Sequence, residues 1–356
     1  MSLLMIQPTE EAVKLAQEIF QRQFAEDECL SGEYDERRRR RMMEDIHYNL
    51  ALLDTVLHHG ANSLYVDYAG WIFDLLRSRM SDLPAERVAQ HMVHHYRLLE
   101  EVAIEHRPEV DASQIHELME QVIEHTRSLV SPASTAADSP QSDEWAPVRR
   151  QYLDALLRSD RSGAAAVIDD ALTEEASIAD VYTRVFQPVM EEVGRLWHTN
   201  QITVATEHYC TAVTQGIMTR FYSQIFSTPR RGHTLLAACV DNELHEMGLR
   251  MLCDLVEYEG WDTVYLGAAL PLESLLKAVE SHRPDVMALS VTMPHHLDAC
   301  RETVEALQRK DPELQLALGG RAFQVAPELA RKWGADYTSS TVEDFLQWIR
   351  TFESGT

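Results

Sequence analysis

No stretch of the chain approaches the roughly eighteen consecutive apolar residues of a membrane-spanning helix, so none is expected. The opening segment, Met1-Ser2-Leu3-Leu4-Met5-Ile6-Gln7-Pro8, has no basic lead-in and too short an apolar stretch for a secretory signal. Cysteine is sparse. Cys29, Cys210, Cys239, Cys253 and Cys300 are scattered, odd in number and never spaced as CxxC. That pattern argues against a disulfide framework or a zinc site and fits a reducing compartment. Basic side chains are also short: 32 Lys and Arg stand against 57 Asp and Glu, a formal charge of −25. A field of that sign repels phosphate backbones and anionic lipid heads, so neither nucleic acid nor membrane is expected as a partner. The basic run Arg37 to Arg41 is hemmed by Glu33, Asp35, Glu36, Glu44 and Asp45 and reads as a solvated helix face. The expectation is a cytoplasmic protein.

What is present is an ordinary globular balance, 45% hydrophobic and 25% charged over 356 residues, enough for two or three domains. Residues 131–146 are rich in Ser, Ala and Pro, with no large apolar residue before Trp145, and are expected to form a linker. Residues 1–130 read as all-α. Helical spacing runs through Ile46, Leu50, Leu53, Val56 and Leu57, and through Trp71, Ile72, Leu75 and Leu76; further helices are expected at 9–23, 85–106 and 112–130. Gly60 and Pro84 punctuate them, with Ser81 or Asp82 expected as a cap. Residues 147–228 read as helices again, with turns at Gly163 and at Thr199-Asn200-Gln201. The grammar then changes. From Pro229 onward, short apolar runs at 235–240, 264–266, 286–291 and 314–318 alternate with helical stretches at 244–258 and 272–281. Residues 229–356 are therefore expected to form a parallel sheet covered on both faces, whose ligands gather at the carboxyl ends of its strands.

The first of those strands runs into Glu243-Leu244-His245-Glu246-Met247-Gly248. A carboxylate near one imidazole nitrogen fixes the tautomer and makes the other nitrogen a better metal ligand, and a nearby Gly lets a bulky group approach the backbone. Forty-one residues separate Gly248 from Ser290-Val291-Thr292, and twenty-six separate Thr292 from Gly319-Gly320. All three elements converge on one edge of the sheet. In this pattern the sequence resembles the cobalamin-binding domains of methionine synthase, corrinoid methyltransferases and base-off mutases, with Glu243 where Asp is usual and Thr292 where Leu is usual. The resemblance implies a Rossmann-like, flavodoxin-like domain in which His245 is the lower axial ligand to cobalt. The displaced nucleotide tail would run past Gly248, Ser290, Thr292, Gly319 and Gly320.

Upstream lie Trp197-His198 and, after nine residues counted from Trp197, Glu207-His208. Read alone these are a core Trp and a polar pair on the next helix. The spacing resembles the signature of light-sensing cobalamin photoreceptors of the CarH type, and the resemblance covers roughly 147–350. It implies that 147–228 form a helical-bundle cap, that Trp197 packs against the adenosyl group of adenosylcobalamin, and that Glu207 accepts from its ribose. His198 matches the residue that ligates cobalt after light, and His208 completes the motif. The rival reading is a corrinoid methyl carrier of a methyltransferase system.

Nine of the sixteen histidines fall in residues 1–130: His47, His58, His59, His91, His94, His95, His106, His116 and His125. His91 and His95 share a helix face, and Tyr65, Tyr68 and Trp71 form an aromatic stripe. Surface histidines beside a packed aromatic core are one reading. A pocket for a flat conjugated chromophore is the other, since the architecture resembles the photocobilins, which place a helical, globin-like biliverdin-binding domain ahead of a cobalamin module. That resemblance implies noncovalent biliverdin, with haem as the competing tetrapyrrole. The expectation is a non-enzymatic photoreceptor. It would signal through light-dependent homo-oligomerisation or to a downstream protein that the sequence does not name.

Overall fold

The computed structural model describes residues 9–108, 110–130, 143–172, 176–338 and 341–352. The chain divides into two compact units, Met1–Thr135 and Ala136–Thr356. Most of the expected linker lies outside the described residues, and the helix Ala146–Leu157 begins at its end.

Among its described residues the first unit has helices as its only regular elements, the long ones at Glu10–Glu26, Glu36–His59, Asn62–Arg79, Ala85–His106 and Ala112–Ser128. Local chemistry sets their limits. Thr9, Asp35 and Asp111 accept the orphan N–H groups of the first turns. Gly60, at φ 70°, ends the second long helix in the left-handed conformation that glycine adopts without strain. The cap before Ala85 is Pro84, not Ser81 or Asp82. Proline already holds the dihedral the helix start needs, and Asp82 instead takes both guanidinium nitrogens of Arg38. Arg38 within the basic run is thereby neutralised by a carboxylate.

The second unit places a helical segment and an α/β layer on one continuous apolar core, running from Trp145 and Tyr152 through Phe186 and Phe221 to Trp261 and Ile349. Gly163 is not a turn. It lies in the first turn of the helix Arg161–Ala171, where its N–H donates to Asp160 Oδ1 at 2.8 Å; the reversal falls at Ser159, φ 59°. The reversal expected at Thr199-Asn200-Gln201 is found, with Asn200 at φ 57°. Beyond it, five parallel strands, β1 (Thr234–Cys239), β2 (Asp262–Tyr265), β3 (Val286–Ser290), β4 (Gln315–Gly319) and β5 (Tyr337–Thr338), are ordered β2-β1-β3-β4-β5. The order reverses between β1 and β3, where open α/β sheets form their binding crevice. Register aligns Cys239 with Ser290 and Ser290 with Gly319. The three loops that carry the motif therefore leave the sheet side by side.

Candidate functional site

Glu243 is the pivot of that edge. Its carboxylate is fully buried, yet it is ringed by donors: Oε1 accepts from His245 Nδ1 at 2.6 Å and from the His245 backbone N–H at 3.0 Å. Oε2 accepts from the backbone N–H groups of Thr292 and Met293, each at 2.8 Å. One side chain thus ties the loop after β1 to the loop after β3. Burial pushes this carboxyl up, but the His245 hydrogen bond and the Met293 N–H outweigh it and hold the group down at about 2. The extra methylene of Glu over Asp does not cost the imidazole contact. The same carboxylate also reaches across to the second loop.

His245 answers in kind. Its hydrogen bond to Glu243 raises the imidazole above its ordinary 6.5, with the charge of Glu207 adding in the same direction. With Nδ1 held by the buried carboxylate, Nε2 carries the remaining coordination capacity, and the side chain is 58% exposed. Beside it, Leu244 is 59% exposed, an unusual apolar surface next to a charged pair. Gly248 lies in the first turn of the helix Met247–Tyr258, and Gly319 ends β4; a Cβ built on either meets nothing within 4 Å. Gly320 differs. At φ 89° its Cβ would strike the backbone of Val291, with the carbonyl carbon at 2.7 Å, so it is required by close chain approach. Ser290 is buried and Thr292 is half-buried.

The helical segment carries the second group, of which Glu207 acts on His245 through its charge. Trp197 and His198 close the helix Gln187–His198, with Trp197 half-buried and His198 buried. Glu207 sits in the first turn of Val204–Met218; its Oε2 pairs with His208 Nδ1 at 2.6 Å and its Oε1 accepts from Thr211 at 2.9 Å. Val204, one turn earlier on the same face, is 51% exposed.

Several contributors carry no signal in the motif. Met293 contributes its backbone N–H. His295 and His296 follow after Pro294, and burial lowers both, His295 to about 4; the doubled His shortly after Ser-x-Thr was the cue available. Asp241 lies 3.6 Å from His296 Nδ1. Two further contacts join the helix behind His245 to the helical segment. Tyr182 donates to buried Asp254 at 2.8 Å, and Arg250 donates to the Tyr222 hydroxyl at 3.1 Å. Tyr182 opens a π-helical turn, Tyr182–Phe186, of the kind that tends to mark functional sites.

In the first unit, His91 and His95 are buried rather than solvated. His91 meets Glu33 at 2.8 Å and His95 Nδ1 meets Gln23 Oε1 at 3.2 Å. Tyr65 and Tyr68 are also buried, bonded to Asn49 and Asp45. No helix among the described residues is long and apolar enough to cross a membrane.

An exposed imidazole, oriented by a buried carboxylate at the carboxyl edge of a parallel sheet, has the geometry of a cofactor-binding module. Residues 233–345 match the family described as B12 binding domain, and residues 148–222 match a second family of the same description. The chain carries a cobalamin-binding module. Its relatives include transcriptional repressors, corrinoid proteins and, over 109 residues at 29% identity, the D-ornithine 4,5-aminomutase subunit beta of Acetoanaerobium sticklandii. The HTH-type transcriptional repressor CarH of Myxococcus xanthus is 29% identical over 217 residues, 60% of this chain and 70% of that one. Trimethylamine corrinoid protein 1 of Methanosarcina acetivorans is 21% identical over 206 residues, 55% of this chain and 93% of that one. The solved monomethylamine corrinoid protein of Methanosarcina barkeri covers 57% of this chain and 97% of its own, at a TM-score of 0.50 and 15% identity, which shows a shared fold.

Proposed function

We propose that the protein is a light sensor that holds adenosylcobalamin between the helical cap 147–228 and the α/β domain, with His245 as the lower ligand to cobalt. The observation that carries this reading is the buried Glu243 carboxylate, which fixes His245 through Nδ1 and aims its free capacity outward. The residues fit the group. A neutral imidazole is a cobalt donor, the exposed Leu244 and Val204 suit a flat apolar macrocycle, and open space at Gly248 and Gly319 leaves room for its tail. When bound, adenosylcobalamin supplies a cobalt–carbon bond that light breaks.

The chain's own residues do the rest. Glu243 and His245 stay fixed, because four hydrogen bonds hold the carboxylate. Trp197 and Glu207 guard the upper side, and Glu207 keeps acceptor capacity beyond its bonds to His208 and Thr211. His198 is buried in this conformation, so ligation by it requires the cap to shift. Tyr182–Asp254 and Arg250–Tyr222 would carry that shift between cap and α/β domain. A ligand biases such an equilibrium only through contacts that differ between its two states. The output in this reading is light-dependent homo-oligomerisation of a cytoplasmic protein, read by a separate partner. Biliverdin is assigned to the first unit on its resemblance to photocobilins, with haem as the competitor.

Similarity to corrinoid proteins supports the second reading, a methyl carrier for a methyltransferase. The deciding experiment reconstitutes the protein in darkness with adenosylcobalamin, methylcobalamin and biliverdin, then compares spectra and elution volume before and after green light. A sensor prefers adenosylcobalamin and changes size on illumination. Equal uptake of both cobalamins with no change of size would favour the carrier. His198→Ala is expected to bind normally in the dark and to lose a stable lit spectrum.

A further inference from the structure

The Met1–Thr135 unit holds a part-buried, hydrogen-bonded acid–phenol pair that light sensing through cobalamin leaves idle. Tyr68 donates its phenolic hydrogen to Asp45 Oδ1 at 2.6 Å. Burial pushes the Asp45 carboxyl up to about 6 and the Tyr68 phenol well above its usual range. Around this pair stand three more buried tyrosines. The Tyr68 ring lies 4.6 Å from that of Tyr48 and 6.3 Å from that of Tyr65, and Tyr65 lies 6.0 Å from Tyr96. Outward, Tyr68 stacks on Trp71 at 5.9 Å and 26°, and Trp71 is 38% exposed. Phenylalanine would fill these positions without the cost of desolvating hydroxyl groups, so the choice of tyrosine calls for a reason beyond packing.

Tryptophan and tyrosine are the side chains most readily oxidised by one electron. A phenol that loses an electron becomes a strong acid, so a base already bonded to it lets electron and proton leave together. We propose that Tyr68 is a proton-coupled one-electron redox site, with Asp45 its proton acceptor and Trp71 the point of electron exit. The balance is simple. Trp71 gives one electron to a one-electron oxidant of the metal(III) polypyridyl or photoexcited-chromophore class at its exposed face. Tyr68 refills Trp71, its O–H bond breaks, and the proton passes to Asp45 Oδ1. The products are the reduced oxidant, a neutral Tyr68 radical and a protonated Asp45; one electron from a thiol or ascorbate reverses the step. Tyr65 is different: its hydroxyl faces the Asn49 amide oxygen at 2.7 Å, which accepts a hydrogen bond but takes no proton.

The test uses the full chain, ruthenium tris(bipyridine) and a cobalt(III) pentaammine quencher, with the neutral tyrosyl radical read by transient absorption and electron paramagnetic resonance. The wild-type protein is expected to give the radical and to form it more slowly in heavy water. Tyr68→Phe and Asp45→Asn lose the signal, Trp71→Phe slows its appearance, and Tyr65→Phe leaves it unchanged. Radical yield surviving in Tyr68→Phe, or equal in Asp45→Asn and wild type, overturns the proposal. Should either buried variant fail to fold, an unchanged wild-type rate in heavy water overturns it equally.

Discussion

Replacing Glu243 by Gln changes almost no volume and removes one charge, which makes it a sharp probe of the site. The carboxylate accepts four hydrogen bonds, two on each oxygen. A glutamine amide offers one oxygen and one donor group. If its oxygen faces His245, its NH2 points at the N–H groups of Thr292 and Met293. If it flips, the NH2 faces the backbone N–H and ring of His245 and favours the tautomer with hydrogen on Nε2, where the free lone pair is needed. Unflipped, two buried donors lose their acceptor; flipped, the ring re-pairs and only the His245 backbone N–H does. At about 1–3 kcal/mol each, the second unit should lose about 1–6 kcal/mol. At about 2–4 °C per kcal/mol for a domain of this size, the apo-protein should melt at least about 2 °C lower. Cobalamin affinity, titrated by absorbance in the dark, should fall about 10–100-fold, the usual effect of removing a partner from a ligating His. A variant that melts within about 1 °C of wild type and binds equally well would refute the assignment of Glu243 as the orienting group.

Other outcomes follow from the same edge. Gly319→Ala should leave apo-protein melting unchanged, since its Cβ meets nothing, yet weaken uptake; Gly320→Ala should fail to fold normally, because its Cβ strikes the Val291 backbone. Apparent cobalamin affinity should fall by up to about tenfold per pH unit below the raised value of His245, where a proton occupies Nε2. The sign for apo-protein stability is opposite: the contribution of the His245–Glu243 pair is full below 6.5 and is lost as pH rises through the raised imidazole value. Titrations of binding and of melting temperature against pH check both. Tyr182→Phe takes the hydroxyl from buried Asp254, which should cost about 1–3 kcal/mol in thermal unfolding and reduce the light-induced change of size without altering dark uptake.

The sheet edge was legible because backbone spacing, not side-chain detail, sets it. Gly248, Ser290 and Gly319 fall at the ends of their strands or at the start of the next helix, so counting residues placed them together. The tie from Glu243 to Met293 was invisible, since a backbone N–H leaves no mark in the sequence. β5 escaped notice because Tyr337–Thr338 is too short to show periodicity. Gly163 read as a turn for want of a side chain, whereas Asp160 captures its N–H into a helix. Tyr182 and Asp254 lie 72 residues apart, beyond any local pattern. In the first unit, helical spacing predicted the Tyr65–Tyr68–Trp71 stripe correctly, but not that Asp45 and Asn49 would bond its hydroxyls.

The most direct measurement of the cobalt contact is electron paramagnetic resonance of the cobalt(II) cobalamin form bound to protein carrying heavy-nitrogen-labelled histidine. If His245 is the lower ligand, the nitrogen superhyperfine triplet becomes a doublet, and the doublet is lost in His245→Ala. A triplet that survives labelling would place the cofactor's own base on the metal and contradict the assignment.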